Sequence, residues 1–318
     1  MKIHTGTGLE RLKNPVISIG IFDGVHKGHA AVFEKVRQGA RERDGESAIV
    51  TFWPHPRRVL GKSGDKLKFL TSLIEKQALI RHHKIDHLFI IPFTKEFARL
   101  PACNFVKEYL VDRAGLTHLV FGHGHHFGRK REGNYGNLKT CAENYGFTIE
   151  QLDPVVEDGI MVSSSAIRDS LSSGNVKLAS KLLSYHYSLQ GTIIGGQRLG
   201  REIGYPTANL EPDDTDKLIP ADGVYAVWVR MGEKSLMGMM NIGFRPTINE
   251  YQGNKSLEVH LINFKGDVYN QHIKISFIDR IRDEIRFETI DRLKNQLKKD
   301  KEVAVKILSG SDTNAPKN

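Results

Sequence analysis

Apolar and polar positions along this chain fall into two textures. Up to about residue 184, compact apolar runs alternate with stretches whose apolar positions recur at helical spacing. Residues 16–22 (VISIGIF) read as a buried strand, and residues 28–43 as the helix that follows it. Residues 48–52, 87–91, 119–122 and 147–152 read as further strands, with helical patterns between them. Alternation of this kind predicts an α/β unit, a parallel sheet with helices on its faces. Ligands of such sheets sit beyond the carboxyl ends of the strands, where the loops leave.

After residue 184 the texture changes. Residues 189–194, 223–230, 236–242, 257–264 and 273–277 are short strand-like runs separated by Gly, Asp and Asn, with no convincing helix among them. They predict a small antiparallel barrel or sandwich. A helix over residues 289–308 follows, with Thr289 as its N-cap. The expected organisation is therefore one domain over 1–184, a second over 185–308, and a polar, disordered tail over 309–318.

Composition narrows the class. The 318 residues suit two domains, and 39% hydrophobic with 26% charged residues is an ordinary globular balance. No apolar run approaches the roughly 20 residues of a spanning helix, and the first residues lack the apolar stretch of a signal peptide. Two cysteines, Cys103 and Cys141, are too few for a disulfide framework and are expected as reduced thiols of a cytoplasmic protein. A net charge of +9 suits nucleic acid, anionic lipid or phosphorylated small molecules alike. No tract combines basic and aromatic residues as a single-strand binder would, so neither a nucleic acid nor a membrane is expected as partner.

Two segments look able to handle phosphate. Gly20 to His29 (GIFDGVHKGH) ends a strand and opens a helix, whose first amide groups and dipole attract anions. Gly24 and Gly28 allow close approach, while His26 and His29 can donate to phosphoryl oxygens as charge shifts in the transition state. Ser163, Ser164 and Ser165 precede a helical run and can cap it; Arg168, one turn in, can meet a triphosphate. In the β-rich half, Gly195 to Arg201 precede Gly204-Tyr205-Pro206-Thr207-Ala208-Asn209. There the glycines permit a backbone cradle, and Thr207 and Asn209 offer hard oxygen ligands for Mg²⁺. The same stretch also reads as ordinary turns, and Glu258 either as a solvent-facing strand residue or as a general base. His118, His123, His125 and His126 have no matching carboxylate or cysteine cluster, so no dedicated transition-metal site is expected.

Taken together these segments carry a resemblance. The HxGH tetrad and the SSxxIR-like segment resemble the nucleotidyltransferase superfamily. The longer GxFDGxHxGH string, with Thr51 to Pro56 (TFWPHP), Leu70-Thr71, Glu75-Lys76 and Phe127 to Asn134 (FGRKREGN), is similar to its FMN-adenylylating branch. GxPTAN, Asn241 to Thr247 (NIGFRPT) and Glu258-Val259-His260 resemble riboflavin kinases in order and spacing. The whole, over roughly residues 14–308, resembles the prokaryotic FAD synthetase family. That resemblance implies a Rossmann-like nucleotidyltransferase domain followed by a six-stranded Greek-key barrel. It implies ATP-dependent phosphorylation of riboflavin to FMN, then adenylylation of FMN to FAD, with Mg²⁺ accompanying ATP.

Carried across, it assigns His26, His29 and Glu258 to catalysis, and Gly20, Phe22, Asp23, Gly24, Gly28, Ser164, Ser165 and Arg168 to the nucleotide of the first site. Gly195, Gly200 and Pro206 take the nucleotide of the second, with Thr207 and Asn209 at the metal. Phe127, Gly128, Arg131, Asn241 and Arg245 take the flavin. The chain departs from the family at Gly124, where an acidic residue is usual, and at residues 183–187 (LSYHY), where an LGRPY-like stretch is usual. The alternatives are a single-activity kinase with a degenerate transferase domain, and a basic nucleic-acid- or flavin-binding regulator.

Overall fold

The computed structural model describes residues 1–61, 67–124, 128, 132–195, 204–244 and 255–310. Its contacts divide the chain into two compact units, Met1–Ser164 and Ser165–Asn318.

The first unit is built on a six-stranded parallel sheet. Its strands are β1 (Lys2–Thr5), β2 (Val16–Ile19), β3 (Ser47–Trp53), β4 (His87–Pro92), β5 (His118–Phe121) and β6 (Thr148–Gln151), in the order β1-β4-β3-β2-β5-β6. Every residue of β2 and β5 is buried, as expected of central parallel strands covered on both faces. Val16 and Ile17 are neighbours in sequence but belong to different core clusters, as the two-residue period of a strand requires. Connections from β2 run to β3 on one side, while β5 lies on the other. The carboxyl end of β2 is thus the switch point of the sheet, where ligands of open α/β folds bind.

The helices of this unit are α1 (Lys27–Glu42), α2 (Pro56–Leu60), α3 (Leu73–His82), α4 (Ala102–Phe105) and α5 (Tyr135–Tyr145). A capping box between Ser72 and Glu75 starts α3. After Phe105 the chain widens into a π-helix, Val106–Ala114, which stops at Gly115 in the left-handed conformation. A small hairpin, β7 (Val156–Glu157) with β8 (Ile160–Met161), completes the unit. Strand β1 escapes the hydrophobic pattern because, as an edge strand, it alternates Lys2 and His4 with a single apolar Ile3. The cysteines differ from expectation as well. Cys103 and Cys141 do not stand as separate thiols but are paired as a disulfide, their Cα atoms 5.9 Å apart.

The second unit opens with α6 (Ser164–Ser172) and α7 (Val176–Leu183) and continues as a closed barrel. Its strands are β9 (Ser188–Ile194), β10 (Ala208–Pro212), β11 (Gly223–Met231), β12 (Lys234–Phe244), β13 (Lys255–Leu261) and β14 (His272–Arg282), ordered β10-β13-β12-β11-β14-β9. Three hairpin-connected strands, β11 to β13, with β14 returning beside β11, make the Greek key. The six strands expected from the family resemblance are present. The sixth, β10, escapes the pattern because it is only five residues long and follows a Gly- and Pro-rich turn.

Helix α8 (Ile290–Gly310) packs Ala304 and Leu308 against Ala226, Met239, Ile262 and Ile278 of the barrel wall. Thr289 Oγ1 accepts the amide of Arg292 at 3.3 Å, the cap read from the sequence. The helix is pinned by Asp300, 1% exposed, whose carboxylate accepts Arg282 Nε at 3.0 Å and Nη2 at 2.8 Å, and Gln296 Nε2 at 2.8 Å. Removing one partner of such a pair leaves the other charge buried without compensation. Asp300→Ala is therefore expected to destabilise the barrel unit by about 3 kcal/mol, read as a lowered urea midpoint, and to expose α8 to limited proteolysis.

Candidate active sites

Strand β2 gives way at Gly20 to a loop that must reverse into α1 within seven residues, Gly20 to His26. It does so with three positive φ values, Phe22 at 50°, Gly24 at 85° and Val25 at 38°. A β-branched residue in that region is strained, and such strain persists only where surrounding contacts over-determine it. Glycine is also required at 20, where a Cβ would lie 2.6 Å from the Phe22 ring.

The contacts that hold the loop are buried. Asp23, 3% exposed, accepts the amides of Leu70 and Thr71, each at 3.1 Å, and the Thr71 hydroxyl at 3.2 Å. Thr71 Oγ1 in turn accepts the Gly24 amide at 3.1 Å. Lys76, on α3, donates from Nζ to the Ile21 carbonyl at 2.7 Å and lies 5.7 Å from the centre of the Trp53 ring. Burial pushes its ammonium down to about 8, against the opposing pull of Asp23. Ser164 Oγ donates to the Asp23 carbonyl at 2.8 Å, so the serine segment closes on the same loop.

His26 is the N-cap of α1, its Nδ1 accepting the His29 amide at 3.4 Å. An accepting Nδ1 makes Nε2 the protonated, donating nitrogen of the neutral ring. The two imidazoles stack, centroids 3.6 Å apart, and Phe22 meets His29 edge-on at 5.1 Å. Gly28 lies between them in the first turn, with the His26 ring 3.1 Å from where its Cβ would be. Thus His26, His29, Gly20, Phe22, Asp23, Gly24, Gly28 and Ser164 gather at the carboxyl end of β2, while Ser165 and Arg168 follow on α6. Arg168 is one turn beyond Ser164 and shares its helix face.

Of the flavin residues expected here, Gly128 adopts φ 73° with Ala102 against it, and Phe127 and Arg131 lie outside the described residues. The histidine run does not form a cluster among the described residues. His118 is buried at the start of β5 with Nδ1 2.7 Å from Thr148 Oγ1, His123 is exposed in the loop beyond, and His125 and His126 lie outside the described residues. The sequence reading named Lys76 within a motif but gave it no role. Its partner is a backbone carbonyl distant in sequence, a contact that no local pattern reveals.

In the barrel the register does the gathering. Asn209 on β10 pairs with Glu258 on β13, and Glu258 pairs on its other side with Asn241 on β12. Directly paired residues point to the same face, so these three side chains form one row across adjacent strands. Thr207, just before β10, donates from Oγ1 to Glu258 Oε2 at 3.3 Å. His260, two residues on from Glu258, has Nδ1 2.9 Å from the Pro206 carbonyl and pins the turn that carries Thr207; burial lowers its pKa. Pro206, Thr207, Val259, Leu261, Phe264 and Tyr269 line a shallow cleft of about 60 Å³ open to solvent. Gly195 follows β9 at the surface, while Gly200 and Arg245 lie outside the described residues. Thr207, Asn209, Asn241 and Glu258 all carry side-chain oxygens, and oxygen donors suit a hard cation.

Comparison with known proteins agrees with both halves. Residues 9–166 match the family model described as FAD synthetase, and residues 183–308 the one described as riboflavin kinase. The chain is 36% identical over 286 residues to a bifunctional riboflavin kinase/FMN adenylyltransferase of Escherichia coli strain K12, covering 90% of each protein. It is 35% identical over 289 residues to the Listeria monocytogenes protein of the same description, covering 91% of each. A crystal structure described as a macrolide-efflux protein from Streptococcus pneumoniae superposes with a TM-score of 0.87 at 29% identity, over 96% of this chain and 99% of that one. Among the described residues no helix is long and apolar enough to cross a membrane. With two family matches in tandem and full-length relatives of one description, the chain belongs to the bifunctional riboflavin kinase/FMN adenylyltransferase family.

Proposed function

We propose that the barrel unit phosphorylates riboflavin with ATP and that the parallel-sheet unit transfers an adenylyl group from ATP to the FMN so formed. The observation that carries this reading is the row Asn209, Glu258 and Asn241, with Thr207 hydrogen-bonded to the carboxylate. Glu258 accepts the proton of the ribityl 5′-hydroxyl as its oxygen bonds to the γ-phosphorus of ATP and ADP leaves. The Thr207 hydroxyl fixes the carboxylate's orientation. Thr207 and Asn209 are the oxygen donors that would hold Mg²⁺ with the nucleotide, and the cation supplies neutralisation of the triphosphate charge. Gly195, Gly200 and Pro206 border the nucleotide, and Asn241 and Arg245 the flavin. ATP as donor in both reactions keeps the cytoplasm as the compartment of this reading, with riboflavin, FMN and ATP as its small-molecule partners. The functional division proposed is 1–184 and 185–308.

In the first unit an FMN phosphate oxygen attacks the α-phosphorus of ATP and pyrophosphate leaves. No protein nucleophile is needed, so positioning and charge stabilisation supply the rate. His26, held as the Nε2–H tautomer, donates to a phosphoryl oxygen beside the amide groups that open α1; His29 acts with it. Ser164, Ser165 and Arg168 hold the triphosphate, and Phe127, Gly128 and Arg131 the flavin. Asp23 and Lys76 act through the loop that carries the histidines.

Incubation of the protein with riboflavin, ATP and Mg²⁺, followed by separation of FMN from FAD, is expected to yield both in sequence. FMN without FAD would reduce the reading to a kinase, and neither product would end it. Glu258→Gln is expected to slow riboflavin phosphorylation by about 10²–10⁴-fold and leave FMN-to-FAD conversion intact. Conversely, His29→Ala is expected to slow FAD formation by about 10²–10³-fold with FMN formation unchanged, each measured by separate assays on the isolated substrates.

Lys76 gives a stability test. Its folded pKa, about 8 against the ordinary 10.5, means that the unfolded chain holds the proton more tightly. Below pH 8 both states carry the charge and the burial cost is fully present; stability from this group therefore rises as pH goes from 8 to 10.5. Lys76→Met removes that rise, so the gap between wild type and variant in urea-derived stability is expected to change by about 3 kcal/mol in favour of wild type across the window.

A further inference from the structure

Among the described residues, one group of three potential metal ligands converges, and it lies apart from both sites described above: His4, Glu10 and His87. The sheet brings the two histidines together. Lys2 on β1 pairs with His87 on β4, and His4, two residues along, shares the face of Lys2. The rings of His4 and His87 stack at 5.3 Å, and His4 also rests on Phe89 at 4.4 Å, so apolar packing fixes where its nitrogen points.

The donor atoms are spaced for a small cation. His4 Nε2 is 3.0 Å from His87 Nδ1 and 3.6 Å from Glu10 Oε1, and His87 Nδ1 is 3.8 Å from the same oxygen. Bonds of about 2.1 Å to a tetrahedral ion put neighbouring ligands ~3.4 Å apart, within this spread. A second carboxylate sets the tautomer of His87. Glu46 Oε2 accepts the Lys13 amide at 2.8 Å, and its Oε1 is 3.0 Å from His87 Nε2. As an acceptor, Glu46 requires His87 to carry its proton on Nε2, which turns the Nδ1 lone pair toward His4 and Glu10. Ligating histidines are oriented by an outer carboxylate in this manner. A His4 proton donated to His87 Nδ1 accounts for the shortest contact, but it leaves Glu10 Oε1, 3.6 and 3.8 Å from the two rings, with no proton between it and either of them. A cation satisfies all three atoms.

We propose that His4, Glu10 and His87 bind one Zn²⁺ ion, with water at the fourth vertex on the side where Glu10 is half exposed. Two imidazoles and one carboxylate select zinc or a similar borderline cation over Mg²⁺, which prefers all-oxygen sites. The ion ties edge strand β1 and the segment that follows it to β4, and takes no part in phosphoryl transfer. The sequence expectation of no transition-metal site weighed only the run from His118 to His126. His4 and His87 lie too far apart in sequence to register as a motif.

The test uses the full chain without a histidine tag, stripped with chelator and titrated calorimetrically with ZnCl₂ in millimolar Mg²⁺. The expected result is one saturable equivalent with micromolar or tighter affinity, together with a thermal midpoint that rises with added zinc. Glu10→Gln and His4→Ala are expected to abolish that equivalent, and Glu46→Gln to weaken it by about 10–100-fold, with both enzymatic rates unchanged in zinc-free samples containing Mg²⁺. Should His4→Ala fail to fold, the exposed Glu10→Gln carries the same readout. The proposal is overturned if wild type shows no 1:1 binding, or if Glu10→Gln binds zinc as tightly as wild type.

Discussion

The carboxylate of Asp23, buried and bonded to the amides of Leu70 and Thr71, is the constraint on which the first unit's chemistry depends. Phe22 and Val25 sit in backbone conformations that no β-branched or aromatic residue prefers, and something must hold them there. Asp23 and Thr71 clamp one side of the loop, and Lys76 on the Ile21 carbonyl clamps the other. Neither charge reaches solvent, so each interaction is stronger than it would be at the surface, and losing either leaves the other group expensively buried. The result is a rigid approach that delivers His26 to the N-cap of α1, with its tautomer already fixed by the cap it makes.

The barrel solves the same positioning problem differently. Its reactive row is assembled by strand register, with Asn209, Glu258 and Asn241 in directly paired positions on three strands. A slip of one residue on any of them would turn that side chain to the opposite face of the wall, so the hydrophobic alternation that specifies the fold also specifies the site. Here the backbone ladder does the work that buried charges do around Asp23. The loop of the first unit is held by a few side chains, whereas the row in the barrel is held by the whole sheet.

How much of this was legible in the sequence follows from which interactions are local. Strands β2 to β5 announced themselves as apolar runs because inner strands of a parallel sheet are covered on both faces. The edge strand β6 was read from the apolar residues Phe147 and Leu152 that flank it, and α8 was visible from its helical spacing and its Thr289 cap. Strands β1 and β10 were not, one diluted by edge polarity and the other masked by the turn before it. Of the site, the HxGH loop and Glu258 were readable only as options until the order of motifs along the chain suggested a family. The clamp by Lys76 and the convergence of His4 with His87 depend on pairings across the sheet, and a single sequence does not display those. The pairing of Cys103 on α4 with Cys141 on α5 went unread because it joins two helices 38 residues apart in sequence.

The way each unit ends its sheet also bears on life at high concentration. A closed barrel has no unpaired strand to offer a neighbouring chain. The parallel sheet does have two edges, but β1 and β6 are four residues each, and they place Lys2, His4 and Glu150 along the exposed ladders. Short, polar edges make poor templates for intermolecular strand addition. A protein that folds slowly through long-range parallel pairing is most exposed to aggregation at such edges, and these sequences blunt them.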